Sequence, residues 1–445
     1  MDLSNIIKAY DVRGIVPDEF DEEIATRIGA AFAAFVDADE VLVGNDCRVS
    51  SPAIREALVD GITSQGVDVR LLGEIPTDML YYASGARSLP GVVITASHNP
   101  AQYNGLKFCQ PGASPIGAET GLRDIRRMAE EGLTPGNTTG RVVSDDLVEG
   151  YLDHVTAVTG ATGIAGLTVA ADGGNGMAGA VLPQVFDRID AELIGLYLEP
   201  DGTFPNHPAD PLRPENLVDL VALVNERKPD LGVAFDGDAD RAFFVDDTGM
   251  PLPGSTTTAI IADWFLRHQP RSAIVHNLIC SKAVAEVVVA AGGLPIRTKV
   301  GHSYIKQVMA ESGAVFGGEH SGHYYFRDNY RADSGIMAML ILLRVLSDAG
   351  VPLSELRNAY EPYTQSGEIN FVVTDTAAAD AAVERAFEDH SVDRLDGLTV
   401  DLGDRWFNLR PSNTEPVLRL NVEGPDVEAV DDLVARVAAI IKEES

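Results

Sequence analysis

Short uninterrupted apolar runs alternate along this chain with longer stretches in which apolar residues recur at helical spacing. That is the pattern of buried strands separated by helices that bury one face. Val41 to Gly44, Val67 to Leu72, Gly91 to Ile94, Leu167 to Ala171, Leu231 to Phe235, Ala242 to Val245 and Ala314 to Phe316 read as strands. Glu22 to Val36, Leu147 to Val158 and Gly335 to Leu346 read as helices, and Ser50-Ser51-Pro52 opens another with proline in its first turn. Lys8 to Gly14 reads as a strand entering a turn. Alternation of this kind predicts α/β layers. Toward the end the pattern changes: Ile369 to Thr374 and Arg405 to Leu409 read as strands of a smaller α+β unit closed by a helix, Val427 to Lys442.

At 445 residues the chain exceeds one core, and roughly 150 residues per domain implies three or four. The turn-rich stretch Gly132 to Arg141, the turn Asp246 to Gly249 and the segment near Glu361-Pro362 divide it into 1–145, 146–249, 250–362 and 363–445. Charge narrows the partners. With 34 basic and 67 acidic residues the net charge is −33, which repels nucleic acid and anionic membranes. An anionic small substrate needs a local basic cleft set against that field, so each of the seven lysines matters. Cys47, Cys109 and Cys280 lie too far apart for a zinc site or a disulfide framework. The N-terminus lacks the basic start and apolar core of a signal peptide, and the apolar run Ile336 to Leu343 falls short of the ~20 residues that span a bilayer. A cytoplasmic protein, monomeric or homodimeric, is the expectation.

The candidate chemistry lies in polar loops. Thr95-Ala96-Ser97-His98-Asn99-Pro100 follows an apolar strand, where a serine beside a histidine is placed to act as nucleophile or phosphate carrier. The same residues also make an ordinary Asx-Pro turn. Asp236-Gly237-Asp238-Ala239-Asp240-Arg241 follows another strand, and its alternate carboxylates converge on one point when the loop wraps, as a hard cation requires. A solvated acidic turn is the alternative. An EF-hand is disfavoured, because its Gly and Glu positions hold Arg241 and Asp247. Arg241 suits an anion beside the cation. In Gly317-Gly318-Glu319-His320-Ser321-Gly322-His323, glycines let short polar side chains approach a polyhydroxylated ligand. Arg410-Pro411-Ser412-Asn413-Thr414-Glu415-Pro416 offers an arginine fork and hydroxyl and amide donors to a phosphate monoester, or else a capping turn. Arg13, followed by Gly14, reads as a surface residue or a phosphate ligand. A competing signal is Gly174-Asn175-Gly176-Met177-Ala178-Gly179, a G-x-G-x-x-G after a strand, with Glu199 at the distance of a ribose-binding acid.

In this order the four loops resemble the α-D-phosphohexomutase family, specifically its phosphomannomutase/phosphoglucomutase branch, over essentially the whole chain. The resemblance implies three similar α/β domains with mixed sheets, a smaller C-terminal α+β domain, and an active site in the cleft between all four. It implies interconversion of hexose 6-phosphate and hexose 1-phosphate (mannose, glucose or both) through a hexose 1,6-bisphosphate. Ser97 would be the phosphoserine. Asp236, Asp238 and Asp240, with Ser97, would bind Mg²⁺. His98, Arg13, Lys107, Arg241 and His302 would line the reaction centre. Tyr10, Glu319, Ser321 and His323 would contact the sugar, and Arg410, Ser412, Asn413 and Thr414 the non-reacting phosphate. Some relatives carry a basic side chain near Ile279, so here Lys282 or Lys299 would supply that charge or it is lost. Phosphoglucosamine mutase of the same family is the nearest rival, although its serine loop usually begins Ser-Ala-Ser where this one has Thr95-Ala96-Ser97. A phosphatase, a nicotinamide-dependent dehydrogenase and a non-catalytic sugar-phosphate-binding protein are further alternatives.

Overall fold

Gly91–Ile94 is buried at every position, as its lack of alternation requires. It pairs in parallel with Glu40–Asn45 and antiparallel with Tyr103–Gln110. In a computed structural model, which describes residues 1–411 and 417–443, these strands centre a seven-stranded mixed sheet. Its order is Val12–Ile15, Tyr103–Gln110, Gly91–Ile94, Glu40–Asn45, Asp68–Glu74, Val142–Ser144, with Ser114–Pro115 beside Tyr103–Gln110. A four-stranded mixed sheet (Ala242–Val245, Leu231–Phe235, Ala165–Asp172, Asp190–Leu196) and a five-stranded mixed sheet (Leu294–Thr298, Ala273–Asn277, Phe316–Gly318, Tyr324–Phe326, Ala332–Asp333) follow. The last sheet is antiparallel throughout (Thr364–Val372, Val417–Gly424, Trp406–Pro411, Leu398–Asp401, Ser391–Asp393). Helices Thr376–Ala386 and Val427–Glu443 pack with it. The protein is thus three mixed α/β units and a smaller α+β unit.

The first three units share one core, which runs from Leu42 and Val93 through Tyr151 and Leu231 to Ile336. Helix Gly335–Ala349 lies in it, with the Ser334 side chain capping Met337 N–H. Every residue from Ile336 to Leu343 is fully buried, because helices Gly254–His268 and Val148–Thr159 both pack on it. A helix apolar all round is explained by enclosure; among the described residues no single helix is long and apolar enough to cross a membrane. The C-terminal unit has its own core, built on Leu398, Phe407, Leu420 and Leu433. It meets the third unit through polar contacts: Lys282 Nζ to Asp401 at 3.0 Å, Val300 N to Asp396 at 3.1 Å, and an Arg297–Asp393 pair.

Four details depart from the pattern-based expectation. Lys8 to Gly14, expected as a strand entering a turn, is the reverse: a bend over 9–11 leads into strand Val12–Ile15, which carries Arg13 and Gly14. Strand Tyr103–Gln110 is hidden by the turn-prone Asn104-Gly105 at its start, yet Leu106 and Phe108 are buried on it. The strand expected at Ile369 begins at Thr364, with a bulge between Gln365 and Glu368 where Gly367 has φ 69°. The strand placed at Ala314 to Phe316 runs instead from Phe316 to Gly318.

The glycine motif serves backbone packing. A Cβ on Gly179 would lie 1.6 Å from the Leu198 carbonyl oxygen, and one on Gly176 would lie 2.7 Å from that of Gly237. Those glycines hold the motif against the strand end and against the aspartate loop, the second use such residues have.

Asp78 joins the first three units. Its Oδ2 accepts from Tyr151 Oη at 2.7 Å and Ser334 Oγ at 2.5 Å, while Oδ1 is buried without a partner. Burial pushes this carboxyl up to about 7 from 3.8, against the two hydrogen bonds. The folded state therefore holds a proton between those values that the unfolded chain has lost, and the carboxyl's stabilising contribution disappears as pH rises through about 7. Asp78→Asn is expected to gain stability relative to wild type between pH 5 and pH 8, by on the order of 2–4 kcal/mol. Urea midpoints at the two pH values check this; a constant difference contradicts it.

Candidate active site

Three of the candidate loops leave the C-terminal end of a buried strand, the edge where open α/β sheets gather ligands. Thr95–Pro100 follows Gly91–Ile94, Asp236–Arg241 follows Leu231–Phe235, and Glu319–His323 follows Phe316–Gly318. Ser97 is buried and holds a left-handed backbone, φ 50°, which costs a non-glycine residue about 1 kcal/mol. Its N–H donates to Thr95 Oγ1 at 2.9 Å, and its Oγ donates to Asp236 Oδ2 at 2.8 Å and lies 3.2 Å from His98 Nδ1.

The aspartate loop closes onto this serine. Arg241 holds Asp236 with its backbone N–H (3.1 Å) and its Nε (2.9 Å). Lys107, from the strand that the pattern concealed, donates from one ammonium to Asp238 and Asp240, each at 2.6 Å. Asp236, Asp238 and Asp240 each bring one oxygen within 4.8 Å of the others. Asp238 Oδ1, Asp240 Oδ1 and Arg241 Nη2 are buried with no hydrogen-bond partner. Orphaned carboxylate oxygens beside an orphaned guanidinium N–H are what a hard cation and an anion would satisfy, so these residues fit Mg²⁺. Burial, then Asp240 and Asp238, push Asp236 up to about 8 although Arg241 opposes them. A Cβ on Gly237 would lie 2.4 Å from the Ser97 carbonyl oxygen, so no larger residue lets the two loops meet. Gly237→Ala is expected to cost about 1–3 kcal/mol by urea denaturation and to lower activity per folded molecule. Unchanged activity would show that the loop contact is dispensable.

Ser97, His98, Arg13, Lys107, Arg241, His302, His323 and Tyr10 line one cavity of about 140 Å³. Its three cations, Arg13, Lys107 and Arg241, stand beside three carboxylates, Asp11, Asp240 and Asp333, so the basic groups expected for an anionic substrate are present but balanced by acids. Arg13 reaches Ala96 O at 3.2 Å, Asp11 at 2.8 Å and the Asn99 side chain. Two of the cavity imidazoles stay neutral: burial, then Arg241 and Arg13, hold His98 well below 6.5, and burial, then Lys306, lowers His302 to about 4. Burial works against the Lys107 charge, but Asp238 and Asp240 hold that amine well above its usual value. Tyr10 packs edge-on to His302, ring centroids 5.2 Å apart, which ties the first unit to the third.

The third loop joins the cluster through His323, whose Nε2 lies 3.6 Å from Asp240 and whose Nδ1 lies 3.3 Å from Ser321 Oγ. Glu319 is buried and already engaged, accepting from Asn277 Nδ2 (3.2 Å), Gly301 N (3.1 Å) and Tyr325 Oη (2.7 Å). Further donors can use its remaining lone pairs. Arg410 Nη2 pairs with Glu368 at 2.9 Å, and its charge adds to burial in lowering His320 to about 3. Ser412, Asn413 and Thr414 lie outside the described residues. Neither proposed substitute for the missing basic group is free: Lys282 pairs with Asp401, and Lys299 lies over the Tyr304 ring at 5.6 Å.

Sequence reasoning missed three contributors. Thr77, opening helix Thr77–Arg87 behind Pro76, donates to Asp238 at 2.7 Å. Asp333 lines the cavity and pairs with buried Lys306 at 2.8 Å. Arg48 donates to four carbonyls around Ser97. The Pro-Thr signature of a helix start was visible for Thr77; the others depend on contacts distant in sequence.

Comparison with known proteins adds a second line. Residues 4–134, 149–249 and 253–363 match phosphoglucomutase/phosphomannomutase alpha/beta/alpha domains I, II and III, and residues 368–440 match the C-terminal domain of the same family. A phosphomannomutase from Salmonella montevideo is 40% identical over 428 residues, covering 94% of each chain. A Xanthomonas campestris protein named phosphohexose mutases is also 40% identical, over 421 residues and 94% of each chain. The crystal structure of a phosphoglucomutase/phosphomannomutase family protein from Burkholderia thailandensis superposes with a TM-score of 0.91 at 31% identity, covering 100% of this chain and 98% of that one. Four consecutive domain matches and this degree of likeness along the whole length agree with the loops gathered around Ser97: the chain belongs to the phosphoglucomutase/phosphomannomutase family.

Proposed function

We propose that this protein is an isomerase-class phosphotransferase that interconverts the 6- and 1-phosphates of mannose and glucose through a phosphoserine at Ser97. The observation that carries the reading is Ser97 Oγ at 2.8 Å from Asp236, inside a cavity that also presents Arg13, Lys107 and Arg241. Relatives named phosphomannomutase and phosphohexose mutases support the reaction class.

In the first half-reaction the free hydroxyl of a hexose monophosphate attacks phosphorus on Ser97. A new O–P bond forms, the Oγ–P bond breaks, the hydroxyl proton leaves to a cavity base, and Oγ regains a proton. His302 and His98 enter neutral and so can accept that proton. Arg13, Lys107 and Arg241 face the phosphoryl oxygens as fixed cations, stabilising charge without reorganising. Held by Asp236, Asp238, Asp240 and a phosphoserine oxygen, Mg²⁺ would neutralise charge on the transferring group. The hexose 1,6-bisphosphate then turns end for end and returns its other phosphoryl group to Ser97. Glu319, Ser321 and His323 hold sugar hydroxyls in both orientations, and Arg410 with Ser412, Asn413 and Thr414 holds the idle phosphate. The C-terminal unit, with its separate core and polar contacts, closes over the cleft and excludes water.

The test is turnover of mannose, glucose and glucosamine 1-phosphates with Mg²⁺ and a trace of hexose 1,6-bisphosphate. Formation of mannose and glucose 6-phosphates is the expected result. Activity confined to glucosamine phosphate overturns the sugar assignment, and steady release of inorganic phosphate overturns transfer between sugar positions.

A further inference from the structure

We propose that Arg48 is a positioning residue for phosphoryl transfer, its guanidinium fixing the left-handed turn that aims Ser97 Oγ at Asp236. The proposal rests on Ser97 being the phosphoryl carrier.

The Arg48 side chain is fully buried, and all five of its N–H donors are used. Nη1 donates to Pro100 O (2.8 Å) and Tyr103 O (2.9 Å), Nη2 to Ser97 O (2.7 Å) and Asn99 O (2.7 Å), and Nε to Asp46 Oδ2 (3.1 Å). Four of these acceptors are backbone carbonyls of the serine loop or of the strand it enters. The fifth, Asp46, is itself fixed by Arg48 N–H at 3.0 Å and Ser51 Oγ at 2.6 Å. The Phe204 ring of the second unit lies over the guanidinium at 5.0 Å. The clamp therefore has a polar edge toward the loop and an aromatic lid from the unit that carries the aspartates.

This arrangement does more than fill space. Ser97 holds φ 50°, a conformation that an unsupported serine leaves readily. Its carbonyl oxygen is caught between Arg48 Nη2 and the close approach of Gly237, so the peptide plane cannot rotate while Arg48 stays. With that plane fixed, the Oγ direction follows. Lysine cannot replace the fork, since an ammonium offers three donors from one point and the carbonyls need a planar pair of forks. Arg48 does not itself line the cavity, and it holds Ser97 by the carbonyl oxygen and not by the reacting Oγ, which distinguishes it from Arg13 and Arg241.

The experiment compares Arg48→Lys, Asp46→Asn and Ser97→Ala with wild type. Three readouts are taken on the folded full-length protein: kcat, KM, and the affinity of hexose 1-phosphate by calorimetry. Displacement of a reacting atom by about 1 Å costs on the order of 100-fold. Arg48→Lys is expected to lose kcat by about that factor, with KM and sugar-phosphate affinity at wild-type values. Asp46→Asn, which leaves the fork but loosens its anchor, should move kcat the same way by less. Wild-type kcat in a folded Arg48→Lys overturns the proposal. So does a loss of kcat and affinity in proportion to the unfolded fraction, or an Asp46→Asn that unfolds without any selective fall in kcat. An inactive Ser97→Ala beside a fully active Arg48→Lys removes the clamp alone; an active Ser97→Ala removes the phosphoserine reading on which it stands.

Discussion

Ser97→Ala is expected to lower mutase turnover by on the order of 10³-fold or more while leaving the fold and sugar-phosphate affinity near wild type. The change removes the Oγ that donates to Asp236 and leaves the cations of the cavity in place. Arg13, Lys107 and Arg241 are anchored by other partners: Arg13 by Asp11 and Ala96 O, Lys107 by Asp238 and Asp240, and Arg241 by the two carboxylate oxygens of Asp236, which accept from its backbone N–H and its Nε. An anionic ligand should still bind. Steady-state turnover beside calorimetric titration with hexose 1-phosphate separates the two effects. Loss of binding along with turnover would mean that Ser97 holds the site together and does not carry the phosphoryl group.

Removal of divalent cation is expected to have a comparable effect. Turnover should fall by about 10²-fold or more on chelation and return on adding Mg²⁺. Lys107 and Arg241 offset part of the charge of the three buried carboxylates, yet burial, with Asp240 and Asp238, still pushes Asp236 up to about 8. Because the cation requires the ionised form, its affinity should rise with pH up to about 8 and level off above. The expected gain is up to about tenfold per pH unit, one proton being released per ion bound. Isothermal titration at pH 6, 7 and 8 in two buffers of different ionisation enthalpy reads both affinity and proton release. Affinity independent of pH, with no proton released, would contradict the assignment of Asp236 as a ligand.

Much of the site was legible because its chemistry is local. A serine ending a strand and three carboxylates at alternate positions need only a short stretch to be recognised, and the strands before them, Gly91–Ile94 and Leu231–Phe235, fall where the apolar runs place them. What the residue pattern left obscure depends on distance along the chain. Lys107 sits on a strand masked by Asn104-Gly105, and its partners are Asp238 and Asp240 of another unit. Arg48 looks like any loop arginine until the serine loop folds around it. The glycine motif at Gly174–Gly179 was ambiguous for a physical reason, since glycine admits a pyrophosphate and a neighbouring backbone equally well; here Gly237 and Leu198 take that space. The central helix Gly335–Ala349 shows the same limit, because an all-round apolar surface does not say which neighbours will cover it.

The most direct test of phosphoryl transfer through Ser97 is peptide-resolved mass spectrometry of the full-length protein, first incubated with hexose 1,6-bisphosphate and Mg²⁺, then chased with hexose 1-phosphate. The account predicts one phosphoryl group, on the peptide containing Ser97, that disappears on the chase as hexose bisphosphate forms. Interconversion of the sugar phosphates with Ser97 unmodified throughout, or with the label on another residue, would contradict it.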